Sequence, residues 1–264
     1  MSKIFFYESG DASLPARQGF PVVFIHGFCE SNTIWKSLSE ELSDEFRIIC
    51  PDLPGFGQSP LPDDDFSLEE IGDELVSWLK SFGIEKCIVI GHSLGGYISL
   101  EILRKHHELV QGIGLLNSSA FEDSQDKKEN RNKLIEFIHI HGVEPFLKTF
   151  VPSLFYTKTS EKHNKTINRI SDEGLSIKPE SVMKYAAAMR NRGDSMDLLK
   201  LYHDRILLLS GEFDQNIPLD KSMEMAGILD ADNSYIIPNS AHMSLFEQSA
   251  ICYDAIRKFV RKLS

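Results

Sequence analysis

Residues 87–98, Cys87-Ile88-Val89-Ile90-Gly91-His92-Ser93-Leu94-Gly95-Gly96-Tyr97-Ile98, run from a strand pattern into a helical one around a single serine. Cys87 to Ile90 is a short unbroken apolar run, as expected of a strand buried on both faces of a sheet. After Gly96, Ile98, Ile102 and Leu103 recur at helical spacing. The chain must bend sharply between the two, with Ser93 at the apex of the bend. Gly91 and Gly95 lack the Cβ atoms that would otherwise strike neighbouring backbone there. The serine hydroxyl is thereby raised above the sheet at the positive end of a helix, the layout of a G-x-S-x-G nucleophile elbow.

Upstream and downstream, the chain alternates apolar runs with helical patterns, which is the signature of parallel βαβ units. Pro21-Val22-Val23-Phe24-Ile25, Arg47-Ile48-Ile49-Cys50 and Val110 to Leu116 read as strands. Ser67-Leu68-Glu69-Glu70 is a capping box that opens a helix with Ile71, Leu75, Trp78, Leu79 and Phe82 on one face, closed by Gly83. Later, Arg205 to Ser210 and Asn233 to Ile237 read as strands, with a helix over Lys221 to Leu229 between them. A last helix carries Ile251, Ala255, Ile256, Phe259 and Val260 on one stripe. The character changes from Phe121 to Met196. The run from Glu122 to Asn130 is polar and reads as a surface connection, and then only helical patterns follow, around Leu134 to Ile138 and Ser181 to Met189. The expected organisation is an α/β core of residues 1–120 and 197–264, with a helical cap inserted at 121–196.

A chain of 264 residues suits one such core with an insertion. A net charge of -11 leaves no basic stripe to neutralise phosphates, which argues against a nucleic-acid partner and disfavours an anionic membrane surface. The start, with one Lys and an apolar run of only Ile4 to Tyr7, lacks the pattern of a secretory signal. No stretch approaches the roughly 20 apolar residues that span a bilayer. Cys29, Cys50, Cys87 and Cys252 lie far apart in or beside apolar segments and read as buried free thiols without metal spacing. The expected setting is cytoplasmic and the expected partner a small-molecule substrate.

A serine hydroxyl needs a base to become nucleophilic at neutral pH. His242 lies just past the strand ending at Ile237 and before the last helix, downstream of the serine in chain order. The imidazole in turn needs a carboxylate to set its tautomer. Ser210-Gly211-Glu212-Phe213-Asp214 follows a strand and offers Asp214, with Glu212 as a rival two residues nearer the strand. Asn117, at the tip of an earlier strand, is an amide and leaves that alternative position for the acid vacant. Two N–H groups should receive an oxyanion: that of Leu94, after the nucleophile, and that of Phe28, in His26-Gly27-Phe28-Cys29.

Together these residues are similar to the capped α/β-hydrolase superfamily over essentially the whole chain. The resemblance is carried by His26-Gly27-Phe28, Pro51-Asp52-Leu53-Pro54-Gly55-Phe56-Gly57-Gln58-Ser59, Gly91 to Gly96, Gly211 to Asp214, and Ala241-His242. It implies a mostly parallel eight-stranded sheet with helices on both faces and a lid between the sixth and seventh strands. It favours Asp214 as the acid, and makes Asp52 and Ser59 part of a structural turn. Serine at position 93 disfavours haloalkane dehalogenases and epoxide hydrolases, which carry aspartate there. Leu94 departs from the Gly-Gly-Ser-Trp-Gly elbow of prolyl iminopeptidases.

The resemblance implies a carboxylic-ester hydrolase working through an acyl-enzyme, with no metal or organic cofactor. Alternatives on the same triad are a carbon–carbon hydrolase or synthase-type lyase on an anionic substrate, a cofactor-free perhydrolase, and a small-molecule receptor. The first of these would need cations such as Arg190 or Arg192, which otherwise read as partners of surface carboxylates. His92 reads as packing, His106 and His107 as solvated, and Asp63-Asp64-Asp65 as an acidic loop. His139, His141 and His163 fall in the cap without metal-ligand spacing.

Overall fold

The computed structural model describes residues 3–10 and 19–264. Seven strands form one sheet: β1 (Phe6–Ser9), β2 (Pro21–Ile25), β3 (Arg47–Pro51), β4 (Cys87–His92), β5 (Val110–Leu116), β6 (Ile206–Gly211) and β7 (Ser234–Ile237). Their order is β1-β3-β2-β4-β5-β6-β7, parallel throughout except for β1, which pairs antiparallel to β3. The described residues thus hold one strand fewer than the family resemblance implies. The apolar run near the N-terminus yields one edge strand, β1, and β7 forms the other edge.

Successive strand residues serve opposite faces. Val23, Ile25, Val89, Ile113 and Leu208 join one core, and Val22, Phe24, Ile88, Ile90 and Leu209 the other. The second core is covered by α1 (Lys36–Leu42) and the C-terminal helix, the first by α2 (Leu68–Ser81) and α3 (Leu94–Lys105). The capping box forms as expected, with Glu70 N donating to Ser67 Oγ at 3.1 Å and Ser67 N to Glu70 Oε2 at 2.7 Å. Phe82 departs from the expected buried face and is 47% exposed, although its ring still meets Phe6 and Trp78. All four cysteines are free and buried.

Between β5 and β6 the chain is helical: α4 (Gln125–His141), α5 (Val143–Ser153), α6 (Asn164–Gly174), α7 (Pro179–Asn191) and α8 (Met196–Leu201). With one strand fewer, this segment follows the fifth strand, not the sixth. The polar run after Phe121 is not a surface connection: α4 begins at Gln125, because Ser124 Oγ accepts the Lys127 N–H at 3.3 Å and caps it. The chain closes with α9 (Leu219–Ala226), α10 (Ser244–Glu247) and α11 (Ser249–Leu263). Among the described residues no helix is long and apolar enough to cross a membrane.

Strand register aligns the carboxyl ends. Ile25 pairs with Gly91, His92 with Leu116, Leu116 with Leu209, and Gly211 with Ile237. The segments leaving β2, β4, β5, β6 and β7 therefore emerge side by side, and these carry Phe28, Ser93, Asn117, Asp214 and His242. Such a carboxyl edge is where open α/β sheets bind ligands.

Candidate active site

Ser93 joins β4 to α3 in the left-handed region, at φ 51° and ψ -112°. A serine has no intrinsic preference for that conformation, so its surroundings must impose it. Ser93 N donates to Leu116 O at 3.0 Å, and Ser118 Oγ donates to Ser93 O at 2.7 Å. A Cβ on Gly91 would overlap the backbone of Gly95 and Gly96, and one on Gly95 would overlap Ile25 O. The bend closes only with glycine at both places.

The structure brings the three side chains singled out in the sequence into one chain of contacts. His242 Nε2 lies 2.9 Å from Ser93 Oγ, and His242 Nδ1 lies 2.7 Å from Asp214 Oδ2. Asp214 is buried, yet its carboxyl is held below the usual range. Burial alone would raise it, but His242, the Ile217 N–H and the Asn117 amide together outweigh that effect. The rival Glu212 is elsewhere: its Oε2 accepts Asn239 N at 3.3 Å on the surface.

Leu94 N opens α3, and neither it nor Phe28 N donates to a protein acceptor among the described residues. Asp52 behaves as a turn residue, its Oδ1 accepting Asn32 N at 2.8 Å and its Oδ2 accepting Gln58 N at 2.9 Å. No group of three or more His, Cys, Asp or Glu side chains among the described residues is arranged to hold a metal ion.

Several residues contribute that the sequence did not disclose. Asn117 Nδ2 donates to Asp214 Oδ2 at 3.1 Å and to Ala241 O at 2.9 Å, tying the acid to the histidine loop. His92 is not simple packing. Its Nδ1 meets Glu30 Oε2 at 2.9 Å and its Nε2 meets His242 O at 2.9 Å. Both ring nitrogens face acceptors, which the imidazolium alone satisfies. Burial would lower the His92 pKa, but Glu30 and the His242 carbonyl raise it overall; Glu30 is correspondingly held low. Glu30 Oε2 also accepts Gly27 N at 2.7 Å, so one buried ion pair braces both the Phe28 turn and the His242 loop.

Above Ser93 lies a cavity of about 370 Å³, lined on its apolar side by Phe28, Leu134, Phe146, Phe150 and Met189. Lys127, Asn130 and Arg131 of α4 also line it, at the i, i+3, i+4 spacing of one helical face. That spacing was the available signal, masked by the polarity of the run. Arg190 and Arg192 do not reach the cavity. Arg190 bonds Asn132 and Asn191, whereas Arg192 pairs with buried Asp123 at 2.9 Å and stacks on Tyr97 at 3.8 Å.

A family model described as the alpha/beta hydrolase fold matches residues 21–249. The chain is 33% identical to a thermophilic esterase from Thermogutta terrifontis, solved with malate bound. Their TM-score is 0.88, with 98% of this chain and 93% of that chain covered. It shares its fold with an enol-lactonase from Burkholderia xenovorans LB400, at 16% identity and TM-score 0.87, covering 98% and 96% of the two chains. In sequence it is 23% identical to the 2-hydroxy-6-oxo-6-(2'-aminophenyl)hexa-2,4-dienoic acid hydrolase of Metapseudomonas resinovorans, over 94% of this chain and 87% of the relative. With the family model matching residues 21–249, most of its length, the chain belongs to the α/β hydrolase fold family and is an enzyme of the hydrolase class.

Proposed function

We propose that this enzyme hydrolyses small carboxylic esters through an acyl-enzyme on Ser93, with α4 to α7 serving as a cap over the cleft. The observation that carries the reading is the unbroken relay from Ser93 Oγ to His242 Nε2 and from Nδ1 to Asp214, at 2.9 and 2.7 Å. With the Nδ1 proton shared with Asp214, Nε2 is bare and able to accept. Ser93 Oγ bonds to the ester carbon while its proton passes to Nε2. The carbonyl oxygen, now anionic, takes hydrogen bonds from the Phe28 and Leu94 amides. As the carbon–oxygen bond to the alcohol breaks, His242 returns the proton to the leaving oxygen. Water then gives a proton to His242 and its hydroxyl to the acyl carbon, and Ser93 leaves with the proton restored.

The test is turnover of 4-nitrophenyl acetate and butyrate by the wild type and Ser93→Ala. Loss of the nucleophile should cost about 10⁴-fold or more in kcat. A Ser93→Ala protein that retains wild-type turnover would discard the assignment. A second reading, carbon–carbon hydrolysis, is favoured by the Metapseudomonas resinovorans relative, whose name specifies a dienoic acid. It predicts that this enzyme consumes that acid faster than any simple ester.

A further inference from the structure

The cavity over Ser93 opposes the protein in sign. The whole chain carries a net charge of -11, yet the cavity wall includes Lys127 and Arg131 and, among the described residues, no carboxylate. Lys127 stands in the first turn of α4, where the helix dipole disfavours a cation. Burial lowers its pKa, and the nearby Arg192 and Arg131 lower it further. Asp123 and Asp214 oppose these effects, and Lys127 lines the cavity beside Arg131.

Neither cation is neutralised from within the cavity. Lys127 Nζ donates to the Asn216 carbonyl at 2.7 Å, a neutral partner that leaves further donors of the ammonium open. Arg131 gives Nε to Asp123 Oδ2 at 3.2 Å, and its terminal amino groups donate to no protein acceptor among the described residues. Asp123 is shared with Arg192, so one carboxylate serves two guanidinium groups. Asp214, the other carboxylate that Lys127 senses, is committed to His242.

We infer that the cleft selects esters bearing a free carboxylate, which Lys127 and Arg131 hold while the scissile carbonyl lies at Ser93. The inference rests on the ester-hydrolase reading and narrows its substrate class. Leu134, Phe146 and Phe150 line the same cavity and suit a short carbon chain between the carboxylate and the ester. Asn130 and Gln215 add neutral polar groups beside the cations.

Two matched pairs of probes test this. 4-Nitrophenyl hydrogen glutarate and 4-nitrophenyl pentanoate differ by a carboxylate on the acyl side. 4-Acetoxybutyrate and butyl acetate differ by one on the alcohol side. In at least one pair, wild-type kcat/KM should favour the charged member by about tenfold or more. Lys127→Met/Arg131→Met should cut that ratio by about ten- to a hundredfold, the range for losing charged hydrogen bonds. The single Lys127→Gln variant keeps the Arg131–Asp123 pair, and should show a partial drop if the double variant folds poorly. Ratios that stay within twofold of wild type in both pairs overturn the inference. If no ester is turned over, calorimetric titration with glutarate decides instead. Glutarate that binds wild type but not the double variant supports the carboxylate site while the ester reading falls. Glutarate that binds neither protein, or both equally, overturns the site. Ester turnover without charge selectivity leaves the ester reading standing and removes this one.

Discussion

Replacing Asp214 by asparagine exchanges one oxygen for an amide nitrogen at nearly constant shape, and the hydrogen bonds around it predict the outcome. Oδ1 accepts from Asn216 N at 2.8 Å and Ile217 N at 3.1 Å, while Oδ2 faces His242 Nδ1 at 2.7 Å and Asn117 Nδ2 at 3.1 Å. An asparagine keeps its oxygen on the two backbone amides, since the reverse orientation would set its NH₂ against both. Its nitrogen then points at His242 and at the Asn117 amide. The imidazole must accept at Nδ1, so its proton moves to Nε2 and faces Ser93 Oγ as a donor. The base is lost while the geometry survives. The expected fall in kcat is about 10³–10⁴-fold, or about 4–5.5 kcal/mol of transition-state stabilisation. The donor–donor contact with Asn117 adds a stability cost of about 1–3 kcal/mol. Stopped-flow turnover of 4-nitrophenyl acetate, with a thermal melt on the same sample, measures both effects. Adding Asn117→Ala should recover part of the melting temperature and none of the activity. A folded Asp214→Asn enzyme within about thirtyfold of wild type would refute the tautomer argument.

Gly91→Ala should fail to accumulate as folded protein, or lose more than about 3 kcal/mol, because its Cβ meets rigid backbone of Gly95 and Gly96; soluble yield and melting temperature report this. Glu30→Ala should be destabilising by about 3–5 kcal/mol, since it strands the buried His92 cation, and Glu30→Ala/His92→Leu should recover much of that in a double-mutant cycle. Glu30, Asp123 and Asp214 all have lowered pKa values in the fold, so their stabilisation is present above their ordinary values of 4.5, 3.8 and 3.8. It is lost as pH falls through the lower folded values, and melting temperature should decline below about pH 4.5. His92 runs the other way: its folded pKa is raised, so its contribution is complete below 6.5 and fades as pH rises through the folded value, a limb that His92→Leu should remove.

The parts of this molecule written in local runs were legible beforehand. The buried strands are mostly apolar stretches, and Ser93, Asp214 and His242 each sit just beyond one, so motif and strand end together pick out the three side chains that meet in the structure. What escaped was written in pairs distant along the chain. Glu30 and His92 are 62 residues apart, and Asn117 and Ala241 are 124 apart. Hydrophobic periodicity reports which face is buried and is silent about which polar groups meet there. Lys127 and Arg131 escaped for a related reason. A run of charged residues reads as solvated surface, unless a cleft rather than water lies opposite, and only the packing of α4 over the sheet edge supplies that cleft.

Among the described residues three histidines, His26, His92 and His242, are buried, and their hydrogen-bond partners differ. His26 Nδ1 lies 2.8 Å from Gly27 O and its Nε2 accepts Leu53 N at 2.9 Å, so it must donate at one nitrogen and accept at the other. That ring is neutral, and burial lowers its pKa accordingly. His92 faces acceptors at both nitrogens and is satisfied only as a cation. His242 meets a carboxylate at one nitrogen and a hydroxyl at the other, and a hydroxyl can give or take. The two fixed rings hold backbone: His26 holds the start of the Phe28 turn, and His92 the carbonyl of His242 itself. The His92 ring centroid lies 5.1 Å from that of His242. Removing the His92 charge should therefore loosen the loop that carries His242, since one of the two acceptors of His92 is then left without a donor, and a lower melting temperature would report this.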